Sequence, residues 1–459
     1  MSALYGEKPQ NEFLVVLILC FGVLLSSFAQ APATFGQEQT ERSLEVASAS
    51  QQHPHSEAVV PLQDLLTEAE QNNPQIQAAR LAWEAAKQVP SQVSTLPDPQ
   101  FNVQQVNVGS PRPFAGYTNS DFAYIGFGVS QDIPYPGKLR LKGEIAKRDA
   151  DVEQQQYESV RRAVLAEVKS AYFQLAYLSK TLGILESDGD LLQQVEKAAD
   201  ARYRSGFGNQ QDLLLAQLQQ TKLLREISMH HLEVAKVQAQ IKQYLNRSQS
   251  SPDIEPSELM ETALPQTFEK LLSAANGQNA EISAAEKMVE KQKLQVDLAH
   301  KDFYPDFNVQ YMWQRTDPTQ FRAYYMLGVG VRVPIYRGRK QRPELAQAEA
   351  ELNRSRSESE MQSQQVAFEL RSEYDTQQKT AELLKIYREG LLPQVRAGFQ
   401  AGIAAYQNNR QDFQALLASF LDVLNLDEDY WKSIAERETA LARLEQLTGL
   451  SLREEGGKR

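Results

Sequence analysis

The sequence is written twice, and this constrains its fold more than any other feature. Leu65-Leu66 through Phe101 aligns with Leu271-Leu272 through Phe307 at a constant offset of 206. Asn73-x-Gln75-Ile76 meets Asn279-x-Glu281-Ile282. Pro99-Gln100-Phe101-Asn102-Val103-Gln104 meets Pro305-Asp306-Phe307-Asn308-Val309-Gln310. After a small slip, Gly126-x-Gly128-Val129 meets Gly328-x-Gly330-Val331, Glu167 and Tyr172 meet Glu369 and Tyr374, and Tyr203 meets Tyr406. A period this long marks a duplicated structural unit. Each copy reads as helix, strand, strand, long helix, long helix. The copies span residues 59–246 and 267–450, with a linker at 247–266 carrying Pro252, Pro256 and Pro265 and a tail at 451–459. Such a duplication predicts one pseudo-symmetric unit.

The strands are expected at about 101–108, 122–133, 306–315 and 324–334. Phe307, Val309, Tyr311 and Trp313 alternate with Asn308, Gln310, Met312 and Gln314. Tyr325, Leu327, Val329, Val331 and Val333 alternate with Tyr324, Met326, Gly328, Gly330 and Arg332. In the first copy Ala123, Ile125, Phe127 and Val129 alternate with Tyr124, Gly126, Gly128 and Ser130. Residues 101–108 are the weakest member, because Gln104-Gln105 breaks the pattern. An apolar, aromatic face opposite a polar or small one over about ten residues is the pattern of a transmembrane β-barrel strand. A hairpin packed on a soluble core predicts the same alternation. The aromatics at strand ends (Phe101, Tyr124, Tyr311, Trp313 and Tyr325) favour the membrane, where such rings sit at the interface with water. Four strands cannot close a barrel, since the smallest have about eight and open edges are not tolerated in lipid. The strand count therefore predicts an oligomer.

The rest is helical. From Lys138 to Ser251 there is no proline, and breaks are expected near Asp188-Gly189 and around Gly206-Phe207-Gly208. Leu223, Ile227, His230, Val234, Val237, Ile241 and Tyr244 follow a 4-3 spacing, the seam of a coiled coil. His230 and His231 point in different directions on a helix and do not chelate one ion together. A packed histidine is the simpler reading of His230. The second long run, Glu344 to Gly449, contains one proline, Pro393.

Phe13 to Leu25 is continuously apolar and is followed by Ala29-Gln30-Ala31, the layout of a secretory signal peptide over residues 1–31; an uncleaved membrane anchor is the alternative. Residues 32–58 read as a disordered leader rich in Gln, Ser, Ala and Glu. His53-Pro54-His55 lies there and reads as solvated tail. Cys20, the chain's single cysteine, lies inside the apolar run without the small residues that precede a lipoprotein acceptor.

Composition and motifs narrow the function. Mean hydropathy is −0.49, which argues against a bundle of membrane helices. A net charge of −11 disfavours nucleic acid as a partner. There is no GxSxG, HExxH, Walker A or CxxC motif, and no acid/base pair stands out among acids scattered along helix faces. Gly126-x-Gly128 and Gly328-x-Gly330 lie in strands and lack the third glycine of a dinucleotide site. The reading is a non-enzyme with no cofactor and no metal site.

Duplication, signal segment and too few strands together resemble the TolC family of outer-membrane efflux proteins, over about Pro61 to Leu450. Leu96-Pro97-Asp98-Pro99 and Gln131-x-Ile133-Pro134-x-Pro136-Gly137-Lys138 are similar to its heavy-metal branch, typified by CzcC and CusC. Tyr203-Arg204-Ser205-Gly206 with Asp212-Leu213-Leu214, and Tyr406-Gln407-Asn408-Asn409 with Asp412-Phe413, resemble the family's helical-tip motif. The ending Ala442-Arg443-Leu444-Glu445-Gln446-Leu447-Thr448-Gly449 resembles its C-terminus.

The resemblance implies a mainly α protein with a β-barrel part. It would be a homotrimer forming a 12-stranded barrel in outer-membrane lipid, continued by a long periplasmic α-helical tunnel. The implied partners are a periplasmic adaptor (membrane fusion) protein and an inner-membrane efflux pump of the RND type. The lipid anchor of the CusC-like members has no matching acceptor in this chain. Asn409 stands where Gly206 suggests glycine, and asparagine tolerates a left-handed turn.

On this reading Asp212, Asp412 and Asn409 are candidates for the periplasmic aperture, where threefold symmetry would turn each carboxylate into a ring that concentrates cations. The alternative is that these acids cap or solvate the tip. Tyr203, Gly206 and Tyr406 are candidates for adaptor docking. The expected function is an exit duct for small solutes, with metal cations favoured. A type I secretion or drug-efflux duct is the alternative within the family, and a pore-free periplasmic coiled-coil scaffold is the alternative of another class.

Overall fold

The computed structural model describes residues 59–106, 123–316, 322–408 and 410–453. The signal segment with Cys20, the leader with His53 and His55, and Asn409 lie outside the described residues.

Each copy starts with short helices held by an asparagine. In the first, α1 (Leu62–Asn72) leads into α2 (Pro74–Ala86) and α3 (Val89–Ser94). Asn73 stands between α1 and α2. Its Oδ1 accepts from the backbone N–H of Gln75 at 2.9 Å and of Ile76 at 3.2 Å, satisfying two donors that a helix start leaves open. Its Nδ2 donates to the Tyr244 carbonyl at 2.8 Å. Asn279 repeats this in the second copy, between α6 (Phe268–Gln278) and α7 (Ala280–Lys301). It accepts from Glu281 and Ile282 and donates to the Leu447 carbonyl at 2.9 Å. Leu65 and Ala69, and their counterparts Leu271 and Ala275, are fully buried beside these caps.

Strands β1 (Gln100–Val106), β2 (Tyr124–Ile133), β3 (Asp306–Arg315) and β4 (Tyr324–Arg332) form one antiparallel sheet in chain order. The duplication thus places two hairpins side by side. The outer edges of β1 and β4 have no strand partner among the described residues.

Helix α4 (Lys138–Arg204) follows β2, turns over residues 205–209 and returns as α5 (Gln210–Tyr244). At ~1.5 Å per residue its 67 residues reach about 100 Å. The break expected near Asp188-Gly189 does not occur. A helical glycine costs only about 1 kcal/mol, and Gly189 packs beside Leu223 of α5. The expected seam of α5 faces inward, with Leu223, Val237 and Ile241 buried. His230 lies in that seam, 3.9 Å from Glu428.

After β4 the chain repeats the long hairpin. Helix α8 (Gln341–Ile386) passes through one π-helical turn, Tyr387–Leu391, into α9 (Leu392–Gln407), and α10 (Phe413–Thr448) returns. Pro393 lies in the first turn of α9. Its missing N–H accounts for the altered hydrogen-bond spacing just before it.

Three apolar clusters fill the helical part. One joins α1, α4, α5, α10 and the linker, one runs toward the tip through α4, α5, α9 and α10, and one surrounds α6, α8 and α10. No described helix is long and apolar enough to cross a membrane.

Candidate functional site

The residues singled out in the sequence fall on two parts of the fold, the sheet at one end and the helix tips. The register sorts the sheet into rows. Val103, Phe127, Trp313 and Tyr325 are neighbours across the four strands, and Phe101, Val129, Tyr311 and Leu327 form the next row. Below them lie Gln131, Val309 and Val329, then Ile133, Phe307 and Val331. At ~3.4 Å per residue these four rows cover about 20 Å along the strands. Phe127 stacks on Trp313 at 6.2 Å and Tyr311 on Tyr325 at 6.1 Å. Apart from Gln131 these rows are apolar, and they are uncovered, with Phe101 81% and Val329 67% exposed.

The opposite face reads Gln104, Gly126, Gln314 and Tyr324, then Asn102, Gly128, Met312 and Met326. Gly126 and Gly128 make room for Met312, since a Cβ on either would sit 3.3 Å from its side chain. Phe101, Tyr311, Trp313 and Tyr325 thus share the apolar face. Tyr124 does not. It pairs with Val106 and lies on the opposite face, two residues from Gly126.

A charged joint ties sheet to helices. Lys138, at the start of α4, is 2.9 Å from Asp306 of β3 and 3.0 Å from Asp302, which ends α7. The Tyr135 N–H donates to the same Asp306 carboxylate at 2.8 Å.

At the far end, Gly206 has φ +78°, which admits the left-handed turn between α4 and α5. Gly208 is equally constrained, because a Cβ there would lie 2.7 Å from the Tyr203 nitrogen. Asn209 caps α5, and Asp212 sits in its first turn. Tyr406, the counterpart of Tyr203, is only 1% exposed, whereas Tyr203 is 44% exposed. The Tyr406 hydroxyl donates to Asp212 Oδ2 at 3.4 Å, and its ring packs on Phe413 at 5.6 Å. Burial, then the Asp212 charge, raises the Tyr406 phenol above its usual value. Arg202 covers the ring at 4.3 Å and donates to the carbonyls of Tyr406 and Phe207.

Tyr406 is therefore an anchor beneath the tip and presents no surface to a partner. Asp412 is exposed and caps α10, accepting from the Ala415 N–H at 2.8 Å. Sequence reasoning left out Arg202 and Phe207. Phe207 is 75% exposed, and its signal was a large apolar residue between two glycines.

The sequence profile of the family described as outer membrane efflux protein matches residues 65–247 and 271–450. The chain belongs to that family. The match falls in two segments, as the repeat does, and the efflux protein accordingly resides in the outer membrane with a helical tunnel in the periplasm. Channels of the family are trimers that work with periplasmic adaptors and inner-membrane pumps.

Three solved structures show the same fold. The outer-membrane channel OprN superposes with TM-score 0.73 at 16% identity, covering 85% of this chain and 90% of that one. CusC, described for its folding and transmembrane channel formation, gives 0.71 at 16%, covering 84% and 91%. VceC from Vibrio cholerae gives 0.72 at 16%, covering 84% and 96%. Curated protein sequences give no match.

Proposed function

We propose that three copies of this efflux protein close a twelve-stranded barrel and form the exit duct of a tripartite system. Small solutes would leave through it, metal cations among them. An inner-membrane pump of the RND type would supply the energy, and a periplasmic adaptor would join the two. The observation that carries this reading is the four-stranded sheet, largely apolar on one face, polar on the other and, among the described residues, open at both edges. Open edges in lipid are costly, and neighbours in a ring remove them. The polar face then lines water and the rows led by Trp313 and Phe101 meet outer-membrane lipid.

Metal cations as cargo rest on the motifs around Pro97 and Pro134 and on the acidic tip. Asp212 and Asp412, repeated by threefold symmetry, would concentrate cations at a narrow mouth. Asp412 also caps α10, so the test must separate charge from cap. Asp412→Asn keeps an acceptor for the Ala415 N–H and removes the charge. In a planar bilayer this variant is expected to weaken block by divalent cations several-fold; unchanged block and conductance would sink the ring at this residue. For adaptor docking, Tyr203, Gly206 and Phe207 form the exposed tip. Cross-linkers placed beside Tyr203 and Phe207 are expected to capture the adaptor.

A further inference from the structure

Two acidic side chains inside the helical wall have no part in either surface above. Asp188 of α4 and Asp427 of α10 line one cavity of about 630 Å³, with Arg396 of α9. Phe399, Leu191 and Val423 give it apolar walls. Asp427 is buried and paired with Arg396 at 2.5 Å. Asp188 has no such match. Its Oδ2 is enclosed by protein and has no hydrogen-bond partner.

The other charge near this cavity is Lys180 of α4. It lies over the Trp431 ring at 4.9 Å and 3.8 Å from Glu258. Helix α5 presents Leu223 to the adjacent Gly189. One guanidinium, already engaged by Asp427, thus faces two carboxylates where three helices meet. Burial raises the Asp188 carboxyl to about 6, Asp427 pushes it the same way, and Arg396 opposes them. The crossing lies beside the apolar cluster that also holds Tyr406 and Phe413.

We propose that Asp188 is a proton-operated latch: neutral, it lets α4 close on α9 and α10; ionised, it pushes the three helices apart and loosens the wall. The step moves one proton between solvent and the carboxyl oxygen and changes no other bond. The direction follows from linkage. A carboxyl held above its ordinary 3.8 keeps its proton in the folded chain after the unfolded chain has lost it. The contribution of Asp188 to stability is therefore greatest in acid, falls as pH rises from about 4 to about 6, and is level above that.

The test uses the processed protein in detergent, with thermal midpoints read at about pH 4.5 and about pH 7.5. The wild type is expected to lose several degrees more over this range than Asp188→Asn, which is neutral throughout. A second measurement leaves Asp188 intact. Spin labels at the exposed Glu186 and Ala397 are expected to report a broader, longer distance at the higher pH. An Asp188→Asn profile that follows the wild type, or a label distance that ignores pH, overturns the latch. Neither measurement depends on the duct reading, so the latch fails or stands separately from it.

Discussion

Asn73 and Asn279 show how much a single side chain holds. Each closes a helix start with its oxygen and ties that start to the end of a distant helix with its nitrogen. Losing a cap costs about 1 kcal/mol, and leaving the partner carbonyl unpaired about 1–3 more. Asn73→Ala and Asn279→Ala are each expected to lower stability by about 2–4 kcal/mol, read as earlier unfolding in urea. Gln75→Ala, at an exposed position nearby, should change little. The paired asparagines were legible because the duplication placed them at the same offset. The division of labour between Tyr203 and Tyr406 was not. The repeat equates them, but only packing shows that Arg202 and Phe413 bury one and leave the other in solvent. Asp412 was legible as acidic and as near the tip; its cap to Ala415 depends on where α10 begins.

Among the elements, the strands were the easiest to read, because a period of two needs no tertiary information. Their face assignments followed, except for Tyr124, whose place in the alternation already set it opposite Ile125. Its ring suggests an interface, while the register sets it on the face with Gly126. The continuous α4 was harder. Asp188-Gly189 carries a local break signal, but about 1 kcal/mol of glycine penalty is small beside the packing of a helix this long.

Two element-level outcomes follow. Val329→Arg, on the apolar face, is expected to destabilise the membrane-inserted protein by about 2–4 kcal/mol, while Gln310→Arg on the polar face costs far less; reversible unfolding from vesicles compares them. At the joint, Lys138→Ala leaves Asp302 and Asp306 facing each other. It is expected to lower the thermal midpoint clearly more than Arg140→Ala, whose partner Glu144 forms an exposed pair.

On the scale of the whole molecule, a polar, acidic chain does not exclude a membrane protein. Its hydropathy average hides the sheet, because alternate strand residues face water and long helical walls dominate the count. The duplication explains why one chain brings four strands and two long hairpins, and the open edges of β1 and β4 explain why one chain is not enough. The central claim is that three chains share one barrel, and native mass spectrometry of the detergent-extracted protein tests it most directly. The account predicts particles of three chains that separate only when denatured; a single chain per particle, stable without detergent, would contradict it.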